Sequence, residues 1–369
     1  MSAIVCPYCL CQVQTSKIKK TCNICGHEYK PKAIDMAKAR FGLEKISCRE
    51  SKCLGNYSVL KCPQCDRVLP TDIAQYDKYI RFAVVAPSGA GKTNFITTMM
   101  EEVKKCRPLN FVVKGMNRET TDQQREWADF IYTKLEPVPG SPPGEVIPMQ
   151  WCFQDMNKAT KTTVPPYSVT MFDGAGEDQT NLDPTICRYI QGSKMIMLLL
   201  DPTQLAGVRE QMTEDEIRSA GGDIRHISHD ETVDFISGII NYLKTACNIP
   251  AKKKIDIPIA VVFGKIDSVA RNIGSAMVLS PSGHAARGAF IKAEADTIHN
   301  EIDSWMSQCG DGLTPMFNAN FVSWRYFGVS SFGNLPKERR KLNKPVPLRV
   351  LDPLIWNLSL EGIVDSVNV

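Results

Sequence analysis

The stretch that most restricts the fold runs from Tyr79 to Met100, YIRFAVVAPSGAGKTNFITTMM. Phe82 to Val85 is apolar and strand-sized, while Phe95, Ile96, Met99, Met100 and Val103 recur with helical spacing. The predicted order is therefore strand, tight turn, helix. The turn itself, Ala86-Pro-Ser-Gly-Ala-Gly-Lys-Thr93, matches the Walker A pattern with Ala86 in place of its first glycine. Glycines let backbone N–H groups turn inward around phosphate oxygens, and the helix N-terminus that follows favours anions. Lys92 is placed to reach the β- and γ-phosphates and the Thr93 hydroxyl to bind Mg²⁺. Ser88, Gly89, Ala90, Gly91, Lys92, Thr93 and Asn94 are the nucleotide contacts expected of this turn.

A second strand should end in an acidic partner for the magnesium. Ser168-Val-Thr-Met-Phe-Asp173-Gly-Ala-Gly176-Glu177 supplies one. Asp173 is placed to hold Mg²⁺, commonly through water, and the Gly176 amide to sense the γ-phosphate. Two later segments bear on the base. Pro258 to Phe263 is a buried strand leading into Gly264-Lys265-Ile266-Asp267, a G-K-x-D sequence where GTPases usually carry N-K-x-D. The Asp267 carboxylate can accept two hydrogen bonds from guanine N1 and N2, which adenine lacks; left unpaired in a buried site it would reject ATP. Lys265 is the second expected base contact, and Gly264 loses the asparagine side chain that normally ties this loop to the P-loop. Tyr326-Phe-Gly-Val-Ser330-Ser331 is a further strand ending in small hydroxyl residues, where a backbone N–H can meet guanine O6.

Nine of the fourteen cysteines lie within the first 65 residues, and eight of them come in pairs. Cys6-Pro-Tyr-Cys9 and Cys22-Asn-Ile-Cys25 make C-x2-C-x12-C-x2-C, and pairing in chain order assigns these four thiolates to one tetrahedral Zn²⁺. Cys48, Cys53, Cys62 and Cys65, with x4, x8 and x2 spacings, are then assigned to a second. The expected domains are a zinc ribbon over 1–35, a second four-cysteine zinc module over 36–72 and a nucleotide domain over 78–362. A disulfide scaffold is the competing reading, but C-x2-C pairs suit metal better. Cys11 and His27 are alternative ligands by proximity and read instead as a spare thiol and a surface histidine. Cys106, Cys152, Cys187, Cys247 and Cys309 sit among apolar residues and read as core.

Composition excludes several classes. With 43% hydrophobic and 23% charged residues over 369 positions, the chain is globular and has room for two or three domains. Met195–Leu200 and Ile257–Phe263 are far shorter than the roughly 20 residues of a membrane helix, and MSAIVCPYC has no signal-peptide pattern. A cytoplasmic protein without a membrane partner is expected. The first 70 residues hold twelve Lys/Arg against five Asp/Glu, but zinc-bound thiolates would cancel more than half of that excess. Lys17, Lys19 and Lys20 suit either nucleic acid or protein.

In this order the motifs resemble the translation-factor and Ras-like class of P-loop GTPases, over residues 78 to 360 or so. Within that class, zinc ribbons joined to APSGAGKT, FDGAGE, FGKxD and a closing helix at Leu348–Trp356 resemble the bacterial double-GTPase families. Those families are proposed parts of conflict or defence systems, encoded beside a second GTPase and GTPase-activating-like proteins. The resemblance implies an α/β, three-layer Ras-like G domain with small N-terminal zinc modules, binding GTP or GDP with Mg²⁺ and two Zn²⁺ and acting through protein partners. Glu177 stands where Ras-like proteins carry the glutamine that orients the attacking water. A carboxylate there polarises water yet repels the γ-phosphate, so slow intrinsic hydrolysis is expected. Lys92, Thr93, Asp173, Gly176 and Glu177 form the expected catalytic set.

The Pro/Gly-rich stretch 137–148 precedes a predicted strand at Met149–Met156, where switch I belongs topologically, and Ser141 is the hydroxyl available there. Thr160, Thr162 and Thr163 are alternatives that suit the turn before the Asp173 strand. Arg188 and Arg209 are near the site in sequence, but neither is assigned as a finger, and His226 and His229 lack metal-type neighbours. A helix is predicted over Thr232–Cys247, and the charged stretch Arg209–Arg218 reads as a solvated helix or a partner-binding insertion. Two other functions compete: a zinc-ribbon nucleic-acid-binding ATPase and a non-catalytic nucleotide-binding adaptor.

Overall fold

In the computed structural model, the residues described are 3–30, 46–87, 89–139, 148–173, 189–220, 230–274, 277–310, 312–333 and 342–368. The chain divides into two compact units, Met1–Tyr79 with Pro166–Ser168, and the remainder.

In the first unit, β1 (Ala3–Val5) and β2 (Gln12–Gln14) form an antiparallel hairpin with Ile4 opposite Val13. A three-stranded antiparallel sheet follows, in the order β3 (Lys19–Thr21), β4 (Val59–Lys61), β5 (Val68–Leu69). Because β3 pairs with β4, everything between Thr21 and Val59 is an excursion from one ladder. Ile4, Cys6, Val13, Cys62, Leu69 and Ile73 make a small core of their own.

The second unit is built on a sheet whose seven described strands run β13 (Trp324–Gly328), β11 (Ile259–Phe263), β10 (Met195–Leu200), β6 (Lys78–Val85), β9 (Pro166–Asp173), β8 (Met149–Asp155), β7 (Phe111–Gly115). β6, β10, β11 and β13 are mutually parallel, and β7 runs antiparallel to β8. A short parallel pair, β12 (Phe290–Ile291) and β14 (Ser366–Val367), lies apart from it.

Strands β10 and β11 read as unbroken apolar runs because both of their faces are covered, as parallel strands require. Ile196, Leu198 and Leu200 with Ile259, Val261 and Phe263 form one face, packed with Phe235, Ile236, Ile239, Ile240 and Leu243 of helix Asp230–Ala246 and Ile298, Ile302 and Trp305 of helix Lys292–Cys309. Each such side chain contributes about 2 kcal/mol on burial. The alternate residues Met197, Leu199, Ala260 and Val262 are equally buried on the other face. On that side Phe327 of β13 meets Trp356 of helix Asp352–Leu360 at 5.6 Å between ring centroids. Helix on sheet on helix is the result.

Two expected elements shift. The closing helix begins at Asp352, not Leu348: Pro353 suits a first helical turn, while Leu348 is bridged to Ser330 and Arg349 is left-handed at φ 53°. The charged stretch 209–218 holds the helix Glu214–Ser219 behind a Thr213/Glu216 capping box, with Ile217 buried and Glu214 and Asp215 exposed. Among the described residues, no helix is long and apolar enough to cross a membrane.

Candidate functional site

The metal-type cysteines cluster in two groups, but not in chain order. Cys6, Cys9, Cys62 and Cys65 form one, and Cys22, Cys25, Cys48 and Cys53 form the other. Pairing the first four cysteines is thus corrected. The reason lies in strand pairing: the Cys6–Cys9 turn ends β1 and the Cys62–Cys65 turn joins β4 to β5, so both belong to the small core, while the other four lie on the excursion from β3 to β4.

One backbone device recurs in the three C-x2-C turns. Leu10 N, Gly26 N and Asp66 N donate to the carbonyls of Cys6, Cys22 and Cys62, and all three donors are left-handed at φ 60°, 74° and 58°. The Ile24 and Gln64 amides donate to the Sγ atoms of Cys22 and Cys62, both at 3.4 Å. A tetrahedral zinc with Zn–S of about 2.3 Å demands sulfur pairs about 3.8 Å apart. The observed pairs are 3.8 Å for Cys6–Cys65, 3.7 Å for Cys9–Cys62, 3.6 Å for Cys22–Cys53 and 3.5 Å for Cys25–Cys48. The donor sets fit the metal. Burial pushes the Cys6 thiol up to about 12, so a bound cation is what would make it a thiolate. Gly55 is required by close approach: a Cβ there would lie 2.4 Å from Cys22 Sγ.

In the second unit the motif loops leave the same end of adjacent parallel strands, where α/β sheets bind ligands. β6 lies between β10 and β9, the strand whose last residue is Asp173. Gly89 and Gly91 are left-handed at φ 77° and 85°; a Cβ on Gly91 would meet no atom within 4 Å, so backbone conformation alone reserves this position for glycine. Gly91 caps the helix Lys92–Lys105, whose first turn carries Lys92, Thr93 and Asn94.

A concave space of about 520 Å³ opens here. Ala90, Gly91 and Asn94 line it from the P-loop, Lys265 and Asp267 from the turn after β11, and Ser330 and Ser331 from the turn after β13. Seven expected nucleotide contacts are thereby brought together. Asp267 is largely buried, which pushes its carboxyl above the usual carboxylate range, against a hydrogen bond from Ser330 and the nearby Lys265 charge. Ser330 is itself positioned by the Gly333 amide at 2.8 Å. Gly264 closes the floor: a Cβ on it would sit 3.3 Å from Leu199 Cδ1 and 3.7 Å from the Ala90 carbonyl.

Two expected contacts have additional duties. Asn94 Oδ1 accepts from the Val138 amide at 2.9 Å, tying the P-loop helix to the segment that leads toward residues 139–148. Lys265 Nζ reaches Asp201 Oδ2 at 2.5 Å. Asp201, which the motifs did not single out, follows β10 directly; the readable signal was an acidic residue ending the apolar run MIMLLL. Thr160, Thr162 and Thr163 bond one another in the turn before β9. Arg209 donates to the Thr203 carbonyl at 3.3 Å. Ser88, Ser141, Gly176, Glu177, Arg188, His226 and His229 lie outside the described residues, as does the side chain of Asp173.

A third group of metal-type side chains, His284, Glu294 and Asp352, surrounds a guanidinium instead. Arg349 Nη1 lies 2.8 Å from both Glu294 Oε1 and Asp352 Oδ2, and it fixes the entry to the helix Asp352–Leu360. Its positive charge answers the carboxylates without a metal.

The fold is a three-layer α/β sandwich on a seven-stranded sheet, with a P-loop between β6 and the helix Lys92–Lys105 and two four-cysteine clusters earlier in the chain. Among solved structures the chain is similar to the S. cerevisiae Ski7 GTPase-like domain bound to GTP, at 11% identity and a TM-score of 0.36, covering 74% of this chain and 49% of that one. It is also similar to the same domain bound to GDP and inorganic phosphate, at 12% identity and a TM-score of 0.33, covering 70% of this chain and 44% of that one. The chain thus spans about half the length of the structures it matches. No protein-family model and no curated protein matches it.

Proposed function

We propose that the chain is a Mg²⁺-dependent switch that binds and slowly hydrolyses GTP, carries two zinc ions and acts through protein partners. The observation supporting it is the convergence of the P-loop, Asp267 and the Ser330–Ser331 turn on one cleft. Phosphate binding falls to the backbone of Gly89 to Thr93 and to Lys92, at the positive end of the helix Lys92–Lys105. The guanine edge is met by the Asp267 carboxylate, which Ser330 orients, and by the Ser331 amide, since the Ser330 amide donates to the Leu348 carbonyl at 2.9 Å. Thr93 and Asp173 would hold the magnesium, which when bound neutralises charge on the β- and γ-phosphates. Gly176 is assigned to γ-phosphate sensing and Glu177 to the attacking water, whose approach its negative charge slows. Ser141 is assigned to the switch segment that Asn94 tethers through Val138.

The cysteine groups would hold zinc as structural, four-sulfur sites without an open position, so they take no part in hydrolysis. Their role is to fold a partner-binding module. The resemblance to double-GTPase families points to a GTPase-activating-like protein or a second GTPase as that partner, in a conflict or defence setting. Displacement of a labelled guanine nucleotide tests the core of this reading. GTP and GDP should compete at stoichiometric levels and ATP should not; equal competition by ATP would refute it.

A further inference from the structure

The turn that carries Asp267 lacks the asparagine that would brace it against the P-loop, yet it holds a lysine in a demanding conformation. Lys265 is left-handed at φ 51°, ψ 33°, a conformation that non-glycine residues keep only when their surroundings impose it. Those surroundings are the Ser268 amide and hydroxyl, which donate to the Lys265 carbonyl at 2.8 and 2.7 Å, and, for the side chain, Asp201. This aspartate is 2% exposed, and both of its oxygens are engaged. Oδ1 accepts from the Thr203 amide at 2.9 Å and the Thr203 hydroxyl at 2.7 Å, while Oδ2 accepts from Lys265 Nζ at 2.5 Å. With those partners in place Asp201 is not directed at a metal or a water, although it follows a strand beside the P-loop strand. Arg209, donating to the Thr203 carbonyl, holds the short turn that presents it. The Gly264 amide, donating to Leu200 O at 2.8 Å, keeps the two strand ends in register.

We infer that Asp201 is a positioning residue for base recognition: its ion pair with Lys265 replaces the missing asparagine brace and lays the lysine stem along the cleft wall beside Asp267. This rests on the guanine-nucleotide reading above. A clamped ammonium cannot swing toward the phosphates, so the part of Lys265 that faces a ligand is its four-carbon stem, an apolar strip suited to the flat face of a purine. Asp201 therefore acts on the base and not on the phosphate chain.

The test is calorimetric titration of the 369-residue chain as wild type, Asp201→Asn, Lys265→Met and the double variant with two probes, GDP and tripolyphosphate, both with Mg²⁺. Asp201→Asn should weaken GDP at least tenfold and leave tripolyphosphate unchanged. Lys265→Met should do the same, and the double variant should lose no more than either single one, because both remove one interaction. Lys265 is the more exposed partner of the pair at 29%, so its variant reports even where Asp201→Asn does not fold. Unaltered GDP binding by both single variants would overturn the inference while leaving the guanine reading intact. Equal loss of GDP and tripolyphosphate would also overturn it, by showing a general structural role. Wild type that binds no GDP would overturn both.

Discussion

Removing cysteines two at a time separates nested from consecutive metal sites, because the two arrangements assign opposite zinc counts to the same variants. Cys6 and Cys65 share a site here, as do Cys22 and Cys53, whereas Cys6 and Cys22 belong to different ones. With two zinc ions per chain, Cys6→Ser with Cys65→Ser should cost one ion and Cys6→Ser with Cys22→Ser should cost both. Chain-order pairing gives the reverse. The second site should survive loss of the first, since the bonds shaping it run among its own residues: Cys22 N to His27 O at 2.9 Å, Cys48 N to Gly55 O at 2.8 Å and Asn23 N to Asn56 O at 3.0 Å.

Stability should follow the same logic. The first site stands in a core of only six buried residues, whose burial is worth on the order of 10 kcal/mol before any entropy is charged. A core that small does not hold a unit of this size without its metal. Loss of the first site should therefore unfold the β1–β2 hairpin at room temperature, read as rapid amide exchange over 3–14. Zinc is counted by plasma mass spectrometry on purified protein. A Cys6→Ser, Cys22→Ser variant that keeps one equivalent of zinc would refute the nested assignment.

Asp267→Asn should lower GDP affinity at least a hundredfold, since two hydrogen bonds to a charged acceptor are worth about 1.5–3 kcal/mol each; displacement titration measures it. The same carboxylate should make GDP binding sensitive to acid. Binding needs its ionised form, and burial holds its pKa above the usual carboxylate range, so affinity should fall with pH before ordinary carboxylates titrate, and Asp267→Asn should flatten that profile. Gly264→Asn should tighten GDP about fivefold through one restored hydrogen bond of about 1 kcal/mol toward the Ala90 carbonyl, once Leu199 yields by a few tenths of an ångström; calorimetry checks the sign. Arg349→Ala should destabilise the second unit by about 3–5 kcal/mol in urea unfolding, because it strands Glu294 and Asp352 without their shared cation.

What could be read from the sequence, and what could not, follows from how local each constraint is. The P-loop was legible because strand, turn and helix are contiguous, and a left-handed Gly91 is required by the turn itself whatever surrounds it. The strands at 195–200 and 259–263 were legible because burial on both faces leaves an unbroken apolar run. The cysteine grouping was not, since C-x2-C spacing specifies how each turn is shaped and says nothing about which turns meet. That was decided by β3 choosing β4 across an excursion of 37 residues, a long-range pairing without a local signature. Asp201 and Arg349 escaped notice for the same reason. Each acts on a partner more than 50 positions away, Lys265 for one and Glu294 for the other, and each alone resembles an ordinary polar residue at the end of an element. Asp267 lies between these cases: its motif marked it, but its raised pKa and its hydrogen bond from Ser330 depend on β11 and β13 lying side by side. A motif can therefore nominate the group that meets the base, whereas the residues that hold this group in place must be found in the fold.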